Sequence, residues 1–223
     1  MNLSRFYRVS AAVLLAMVLI SAWGVSRVGL DATVPIHWNA NGDADGYAAS
    51  LVAFLTTPLI ALALIALLAV VPRIEPRRSN LAKSAAAYET VAIALVLLML
   101  LVHAGIVLAG AGNPIAMGTL VGAGVGGLFA VLGNVMGKVR SNFMFGIRTP
   151  WTLSSDLAWD RTHRLVGRLW VGGGLVMLVL SLTGLLPLVT AVMIAFIVVT
   201  LVIALVYSYR VWASDPDRRV LGG

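Results

Sequence analysis

Residues 188–206, LVTAVMIAFIVVTLVIALV, form a continuous apolar run that contains no charged side chain. A helix of about 20 residues crosses the roughly 30 Å hydrocarbon layer of a bilayer. Because that layer offers no water to bond the backbone, a segment that crosses it must satisfy its own hydrogen bonds, as an α-helix does. This run therefore predicts a membrane-spanning helix.

Five more apolar segments have nearly the same length. They are residues 9–25, 51–71, 91–109, 115–135 and 169–186. Of the 223 residues, 60% are hydrophobic and only 11% are charged, far below the roughly 25% charged residues of an ordinary soluble domain. The sequence predicts an all-α, polytopic membrane protein with six transmembrane helices, and strands are not expected within it.

Two regions are predicted along the chain. Residues 1–75 form an N-terminal two-helix region with an outer turn at residues 26–50. Residues 76–223 form a four-helix region with an inner loop at residues 136–168.

The positions of Lys and Arg predict the orientation. If the N-terminus lies inside, 15 of the 16 basic residues fall on the inner side, and only Arg27 falls outside. The inner residues are Arg5, Arg8, Arg73, Arg77, Arg78, Lys83, Lys138, Arg140, Arg148, Arg161, Arg164, Arg168, Arg210, Arg218 and Arg219. Both termini are therefore predicted to be cytoplasmic, and the net charge of +7 is interpreted as topology and contact with lipid head groups. No segment between spans is long enough for a basic nucleic-acid-binding module, so no direct nucleic-acid partner is expected.

The first segment has an alternative interpretation as a cleaved signal peptide, because Arg5 and Arg8 precede it and Ser21, Ala22 and Gly24 are small. Trp23 lies within the cleavage region, and the distribution of basic residues agrees best with six spans. A retained helix is therefore favoured.

Small residues and proline mark two of the spans. The fourth span repeats small residues every four positions, which predicts close packing against another helix. These are Gly118, Gly122, Gly126 and Ala130, with Gly133 and Gly137 repeating the spacing, and Gly172, Gly173 and Gly174 as the expected counterpart. In the second span, Pro58 predicts a kink whose freed carbonyl is satisfied by a neighbouring hydroxyl such as that of Thr56 or Thr57.

The outer connection contains VPIHWNANGDADGY, which is dense in turn-forming residues. Asn41, Asp43, Asp45 and Gly46 match the opening of a calcium loop, but its bidentate Glu would fall at Val52. We therefore expect an ordered turn with Asx hydrogen bonds and an interfacial Trp, and no metal.

His103 and Asn134 are polar residues within predicted spans, where such groups are costly unless partnered or functional. An interhelical hydrogen bond is the favoured role, and a proton or ligand pathway is the alternative. Apart from the loop aspartates, Glu89 is interpreted as the only acid near a span. The chain has no Cys, no catalytic motif and no phosphate-binding loop, so no cofactor is expected.

The inner loop, GKVRSNFMFGIRTPWTLSSDLAWDRTHRLVG at residues 137–167, is polar, basic and aromatic. It is predicted to be extended as far as Pro150 and then helical from near Ser154 or Ser155. Asp160 and Arg164, four residues apart, are expected to pair. This loop can meet a partner, a lipid head group or a ligand.

The inner loop resembles the signature of the SdpI family, bacterial membrane proteins named for immunity to a secreted sporulation-delaying toxin. The outer motif resembles a two-span domain of unknown function that is often joined to SdpI-like regions. The resemblance implies these functional positions in the inner loop: Asn142, Gly146, Arg148, Thr149, Pro150, Trp151, Thr152, Trp159, Thr162, His163 and Arg164. In the outer motif it implies Pro35, His37, Trp38, Asn39, Gly42, Asp45 and Gly46. Gly137 and Ser141 stand where the family has prolines.

The resemblance implies a multi-pass protein of the bacterial cytoplasmic membrane, without enzymatic activity. Such a protein gives immunity to a membrane-active peptide toxin or signals its presence, and the best-known member also sequesters a small repressor. Expected partners are membrane lipids, an extracytoplasmic peptide toxin and a cytoplasmic regulator. A transporter using Pro58, the Gly-rich span and His103 is the second hypothesis, and an intramembrane lipid or peptide enzyme using Asp156, Asp160 and His163 is the third.

Overall fold

The computed structural model describes residues 1–218. Six of its helices are long and apolar enough to cross a membrane. They are α1 (Ser4–Val28), α2 (Ser50–Ile74), α4 (Ala85–Gly110), α5 (Met117–Met136), α7 (Asp156–Ser181) and α8 (Leu186–Ala213). Two short helices, α3 (Arg78–Lys83) and α6 (Pro150–Ser154), lie between them. The predicted all-α, six-helix membrane protein is confirmed, whereas its orientation stays a prediction.

The apolar runs locate the helices correctly but set several boundaries wrongly. The fifth span was predicted to end at residue 186, but α7 ends at Ser181, and Gly184, with φ +76°, makes the turn into α8. At its other end α7 begins at Asp156, where the hydroxyl of Ser155 accepts from the amide of Ala158 at 2.9 Å. Hydropathy does not detect this polar first turn, because only its cap and buried face hold it in place.

The outer connection contains a β-hairpin, which the all-α prediction did not include. Strands β1 (Thr33–Trp38) and β2 (Ala44–Ala49) pair antiparallel, with Val34 opposite Ala48 and Trp38 opposite Ala44. Val34 is buried against α2, α4 and α5 together with Phe54 and Val107. The hairpin is therefore anchored to the helices by its apolar face, and the ordered turn takes the form of two short strands.

Helices α5 and α7 approach each other backbone to backbone through glycine. A Cβ atom added at Gly133 would lie 2.5 Å from the carbonyl oxygen of Gly167, and one at Gly126 would lie 2.8 Å from that of Gly174. Gly174 is thus the counterpart predicted among the three consecutive glycines, whereas Gly172 has open space beside it. The predicted small-residue packing surface is present in the structure.

Three helices meet at a polar junction next to Pro58. Because proline has no amide hydrogen, the carbonyl of Phe54 loses its helical donor. The hydroxyl of Ser21 in α1 donates to that carbonyl at 2.8 Å, whereas Thr56 bonds within its own helix to Val52. His103 Nε2 lies 3.0 Å from the carbonyl of Met17 and 3.1 Å from Ser21 Oγ. The favoured interhelical role of His103 is therefore present, but the hydroxyl that satisfies the freed carbonyl comes from α1.

The bundle has two chemically different ends. Because the spans alternate in direction, every described Lys and Arg except Arg27 lies at one end, which we call the basic end. The hairpin marks the opposite, hairpin end. Arg219, predicted to lie on the inner side, is outside the described residues. The two predicted regions also share a core, in which Phe6, Met17 and Ile65 pack with Ala92 and Val96 of α4.

Candidate functional site

The hairpin is closed by Asn39. Its Oδ1 accepts from the amides of Asn41 and Asp43 at 2.9 and 3.1 Å, and Gly42 takes a φ of +90° in the same turn. A Cβ atom at Gly46 would lie 2.9 Å from the Cβ of His37, so only glycine fits opposite it. These contacts supply the predicted Asx hydrogen bonds.

His37 pairs with Asp45 across the hairpin. Its Nδ1 lies 2.5 Å from Asp45 Oδ1, and both side chains are largely exposed. Among residues 1–218, no cluster of His, Cys, Asp or Glu has the composition of a metal site. Pro35 lies in β1 opposite Tyr47, and β1 as a whole contacts α2 and α4. The outer motif thus forms a hairpin packed on two helices, with the His37–Asp45 pair on its exposed rim.

An apolar cavity of about 310 Å³ lies beneath the hairpin, and we call it the hairpin-end cavity. Residues 36–40 of the hairpin form its roof, with Trp38 and Asn39 among them. Its walls come from α4, α5 and α8, where Ile106, Val121 and Val189 present apolar side chains. Three of the predicted outer residues, His37, Trp38 and Asn39, are therefore brought together with the ends of three spans, whereas Pro35, Gly42, Asp45 and Gly46 do not line the cavity.

At the basic end, Asn142 organises the inner loop. It is fully buried, and its Oδ1 accepts from the amides of Met144 and Phe145 at 3.0 and 2.7 Å. Its Nδ2 donates to the carbonyls of Arg140 and Phe145 at 2.9 Å. A side chain with both ends saturated holds a tight turn, so Asn142 is a positioning residue for the loop.

His163 is also fully buried and has two hydrogen bonds. Its Nδ1 lies 2.8 Å from the carbonyl of Trp159, so Nδ1 carries the proton, and Nε2 accepts from the amide of Ile147 at 2.9 Å. The ring stacks on Trp159, whose indole donates to the carbonyl of Val139 at 2.7 Å. Gly146, with φ +113°, leaves room for this pair, since a Cβ atom there would lie 2.6 Å from His163 Nε2.

The TPWT segment begins α6 through a capping box. Thr149 Oγ1 accepts from the amide of Thr152 at 3.1 Å, and Thr152 Oγ1 accepts from the amide of Thr149 at 2.9 Å. Pro150 occupies the first turn, where a missing amide costs nothing. Trp151 packs edge-on against Tyr209 at 5.3 Å, and Thr149 contacts Ser208 at 3.2 Å. Both contacts attach the loop to α8. The family position Thr162 is buried, and its hydroxyl has no partner within residues 1–218.

Glu75, which the sequence interpretation overlooked, is a fully buried acid at the end of α2. Both carboxylate oxygens accept from the amide of Phe143 at 3.1 Å, and Oε1 also accepts from that of Arg77 at 2.8 Å. Arg77 donates to Ser141 Oγ and to the carbonyl of Leu153. Glu89, which was taken as the only acid near a span, accepts from the amide of Phe6. In the sequence, Glu75 is the single acid in the basic stretch PRIEPRR, residues 72–78, and this isolated charge is the pattern that indicates a buried partner role.

The loop arginines remain on the surface. Arg148, Arg161 and Arg164 are exposed, and Asp160 lies 3.3 Å from both Arg140 and Arg164, as predicted for the latter. Asp160 makes no hydrogen bond to His163, and both nitrogens of His163 are occupied, so the acid–base arrangement of the enzyme hypothesis is not assembled. Asp156 is exposed at the start of α7.

Asn134 differs from its expected position. It was predicted to form an interhelical hydrogen bond or to line a pathway, yet it is exposed and has no hydrogen bond within residues 1–218. It lies beside Arg164 and Arg168 in a shallow groove between α5 and α7. The fourth span presents this position outward, because its glycine face, and not Asn134, contacts α7.

Comparison with known proteins found matches to two parts of the chain. Residues 138–209 match the model of the SdpI/YfhL protein family, and residues 12–62 match a domain of unknown function, DUF1648. The Immunity protein SdpI of Bacillus subtilis (strain 168) is 29% identical over 117 residues, which cover 52% of this chain and 56% of that protein. The match thus spans only about half of the relative's length. No solved structure matches the chain.

The first family match covers the inner loop, α6, α7 and most of α8, and the second covers most of α1, the hairpin and the first half of α2. The apolar helices and the similar immunity protein support a location in the cell membrane. This chain is therefore a multi-pass membrane protein in which a region similar to the SdpI/YfhL protein family follows a region that matches DUF1648.

Proposed function

We propose that this protein gives immunity to a membrane-active peptide, which it binds at the hairpin-end cavity. The observation that carries the proposal is the apolar cavity roofed by residues 36–40 of the hairpin. At about 310 Å³ it is at the lower end of the size range of ligand pockets, so it fits an apolar anchor side chain and not a whole peptide. Such buried anchors contribute much of the affinity of protein–peptide contacts.

The charge at the hairpin end indicates which peptides suit the site. Asp31, Asp43 and Asp45 are exposed there, against the single base Arg27, so the local charge is negative in an otherwise basic protein. Membrane-active peptides commonly combine an apolar face with Lys and Arg. A cationic amphipathic peptide would place its apolar face in the cavity and its basic residues beside the hairpin. The similar protein from Bacillus subtilis is named an immunity protein, which supports this role.

A protection assay tests the proposal. The chain is expressed in a host sensitive to secreted membrane-active peptides, and growth is measured across a panel of such peptides. Thr190→Trp fills the hairpin-end cavity, whereas Ala191→Trp, one residue further along α8, places the same ring on the exposed surface. We expect protection to be lost with Thr190→Trp and kept with Ala191→Trp at equal expression. Equal protection by both variants would rule out the cavity as the binding site.

A second candidate is a relay that reports the peptide to a cytoplasmic regulator. It is favoured by α8, which lines the hairpin-end cavity at Val189 and contacts the inner loop through Ser208 and Tyr209. A peptide that shifts α8 would change the surface carrying Arg148 and Trp151. Affinity capture with the whole chain, with and without peptide, tests this relay, and Arg148→Ala with Trp151→Ala is expected to abolish capture. Unchanged capture would exclude this surface.

The transporter hypothesis has less support from the geometry. His103 is fully buried in a junction with Met17 and Ser21, and Asn134 lies on the outside of the bundle. The two residues therefore do not line one path. Unaltered flux in proteoliposomes carrying His103→Ala and Asn134→Ala proteins would remove its remaining support.

A further inference from the structure

A second apolar cavity, of about 470 Å³, lies at the basic end between α5, α7 and α8. We call it the basic-end cavity. Its wall includes Phe129, Leu201 and Ala204, and its rim is formed by the inner loop at Ile147 and Arg148. It shares no lining residue with the hairpin-end cavity, so its role is separate from peptide binding.

The rim carries a cation that lacks an acidic partner. Arg148 is exposed, donates from Nη1 to the carbonyl of Phe143, and forms no ion pair within residues 1–218. Within the same residues its other guanidinium donors have no hydrogen-bond partner. A guanidinium matches the geometry of a phosphate group, because two parallel N–H donors meet two oxygens.

The wall carries an unmatched donor. Trp170 lines the cavity and packs edge-on against Phe129 at 4.9 Å, but its indole N–H is buried without a partner in the described part of the chain. Buried donors are rarely left unpaired. Because this nitrogen is buried, a ligand in the cavity reaches it only when the Trp170 ring rotates.

We propose that the basic-end cavity binds an anionic phospholipid. An acyl chain lies against Leu201 and Ala204, and the phosphate pairs with Arg148. Because no acid within residues 1–218 neutralises Arg148, its charge selects lipids with net negative charge over zwitterionic ones with the same chains.

Native mass spectrometry of the whole purified chain in detergent micelles tests the site. Phosphatidylglycerol and phosphatidylcholine with identical chains are titrated separately. We expect phosphatidylglycerol to bind about fivefold more tightly, which corresponds to one favourable surface charge. Arg148→Gln should remove this preference, whereas Arg161→Gln, an exposed loop arginine outside the cavity, should retain it.

Cavity-filling variants distinguish lipid binding in the cavity from attraction of lipids by the surface charge in general. Leu201 and Val202 are similarly exposed, but only Leu201 lines the cavity. Leu201→Trp should therefore weaken the binding of both lipids, and Val202→Trp should weaken neither. Equal binding of the two lipids by the unmodified chain, or equal losses in the two Trp variants, would overturn the proposal. The proposal would also be overturned if glycerol 3-phosphate competed for the site as effectively as the whole lipid, because the site would then bind anions without using the acyl chain. Thermal unfolding of each variant checks that it is folded.

Discussion

The two ends of the bundle are built on different principles. At the hairpin end an apolar cavity lies under two short strands whose rim pair, His37 and Asp45, is exposed. At the basic end, the buried side chains of Asn142, His163 and Glu75 make hydrogen bonds to the backbone of the inner loop. The hairpin is thus anchored by one apolar side chain, that of Val34, whereas the inner loop is held by buried hydrogen bonds.

The two ends are connected by the helix pair α5 and α7. Helix α5 lines the hairpin-end cavity with Gly118 and Gly122, contacts α7 through Gly126 and Gly133, and leads to the loop that begins at Lys138. Because the glycine contact is backbone to backbone, the two helices are packed closely along this length.

The largest expected effect is at the glycine contact. Gly133→Leu places a side chain where the carbonyl of Gly167 lies 2.5 Å from an added Cβ, so the helices must separate. We expect a loss of about 3 kcal/mol or more in the free energy of unfolding, measured by SDS titration in mixed micelles. Gly172→Leu is the control, because its Cβ meets open space and stability should change little. Similar losses in both variants would contradict the close contact.

The next largest effect is expected at Glu75, whose carboxylate holds the inner loop at the basic end. Glu75→Ala leaves the amides of Phe143 and Arg77 without their acceptor, which should destabilise the protein by about 2 kcal/mol. Glu75→Gln keeps one acceptor oxygen and should cost less. Hydrogen exchange should show faster exchange at Phe143 in Glu75→Ala and no change at the hairpin. If exchange at Phe143 were unchanged, the carboxylate would not hold the loop.

The junction at Pro58 predicts a smaller, conditional effect. Ser21→Ala removes the hydroxyl that donates to the Phe54 carbonyl and should cost about 1 kcal/mol. In a Pro58→Ala background the new amide of residue 58 can bond that carbonyl within α2. The same Ser21→Ala change should then cost less, and the part that remains comes from the lost contact with His103 Nε2 at 3.1 Å. Additive losses in the double variant, measured by the same SDS titration, would show that the hydroxyl does not act through this carbonyl.

The smallest effect is expected at the exposed rim of the hairpin. His37→Ala removes the 2.5 Å contact between two largely exposed side chains, and Asp45→Asn removes its negative charge. Each should change stability by less than about 1 kcal/mol. Gly46→Ala is the contrasting variant, because its Cβ would meet that of His37 at 2.9 Å and should distort the strand pair. Thermal unfolding in micelles compares the three. A large loss in Asp45→Asn would mean that the rim, not the apolar face, anchors the hairpin.

The sequence predicted the parts of the fold that depend on one-dimensional patterns. Six apolar runs gave six helices, the small residues of α5 marked its contact with α7, and Ser155 marked the start of α7. The hairpin was missed as strands because its apolar anchor is short, with Val34 its only buried residue. Glu75 was missed because the groups around it are remote in sequence. Its carboxylate accepts from the amide of Phe143, and the neighbouring Arg77 donates to Ser141. Asn134 was misplaced because hydropathy gives depth but not which face of a helix points outward.

Site-specific photo-crosslinking to a protective peptide tests the central claim most directly. A photoreactive residue at Val125 lies in the hairpin-end cavity, and one at Val131 lies on the exposed surface of the same helix. A peptide against which the chain protects cells should crosslink from position 125 and not from position 131. Thr190→Trp should abolish the crosslink, and Ala191→Trp should not. Equal crosslinking from both positions, or none from position 125, would contradict immunity through this cavity.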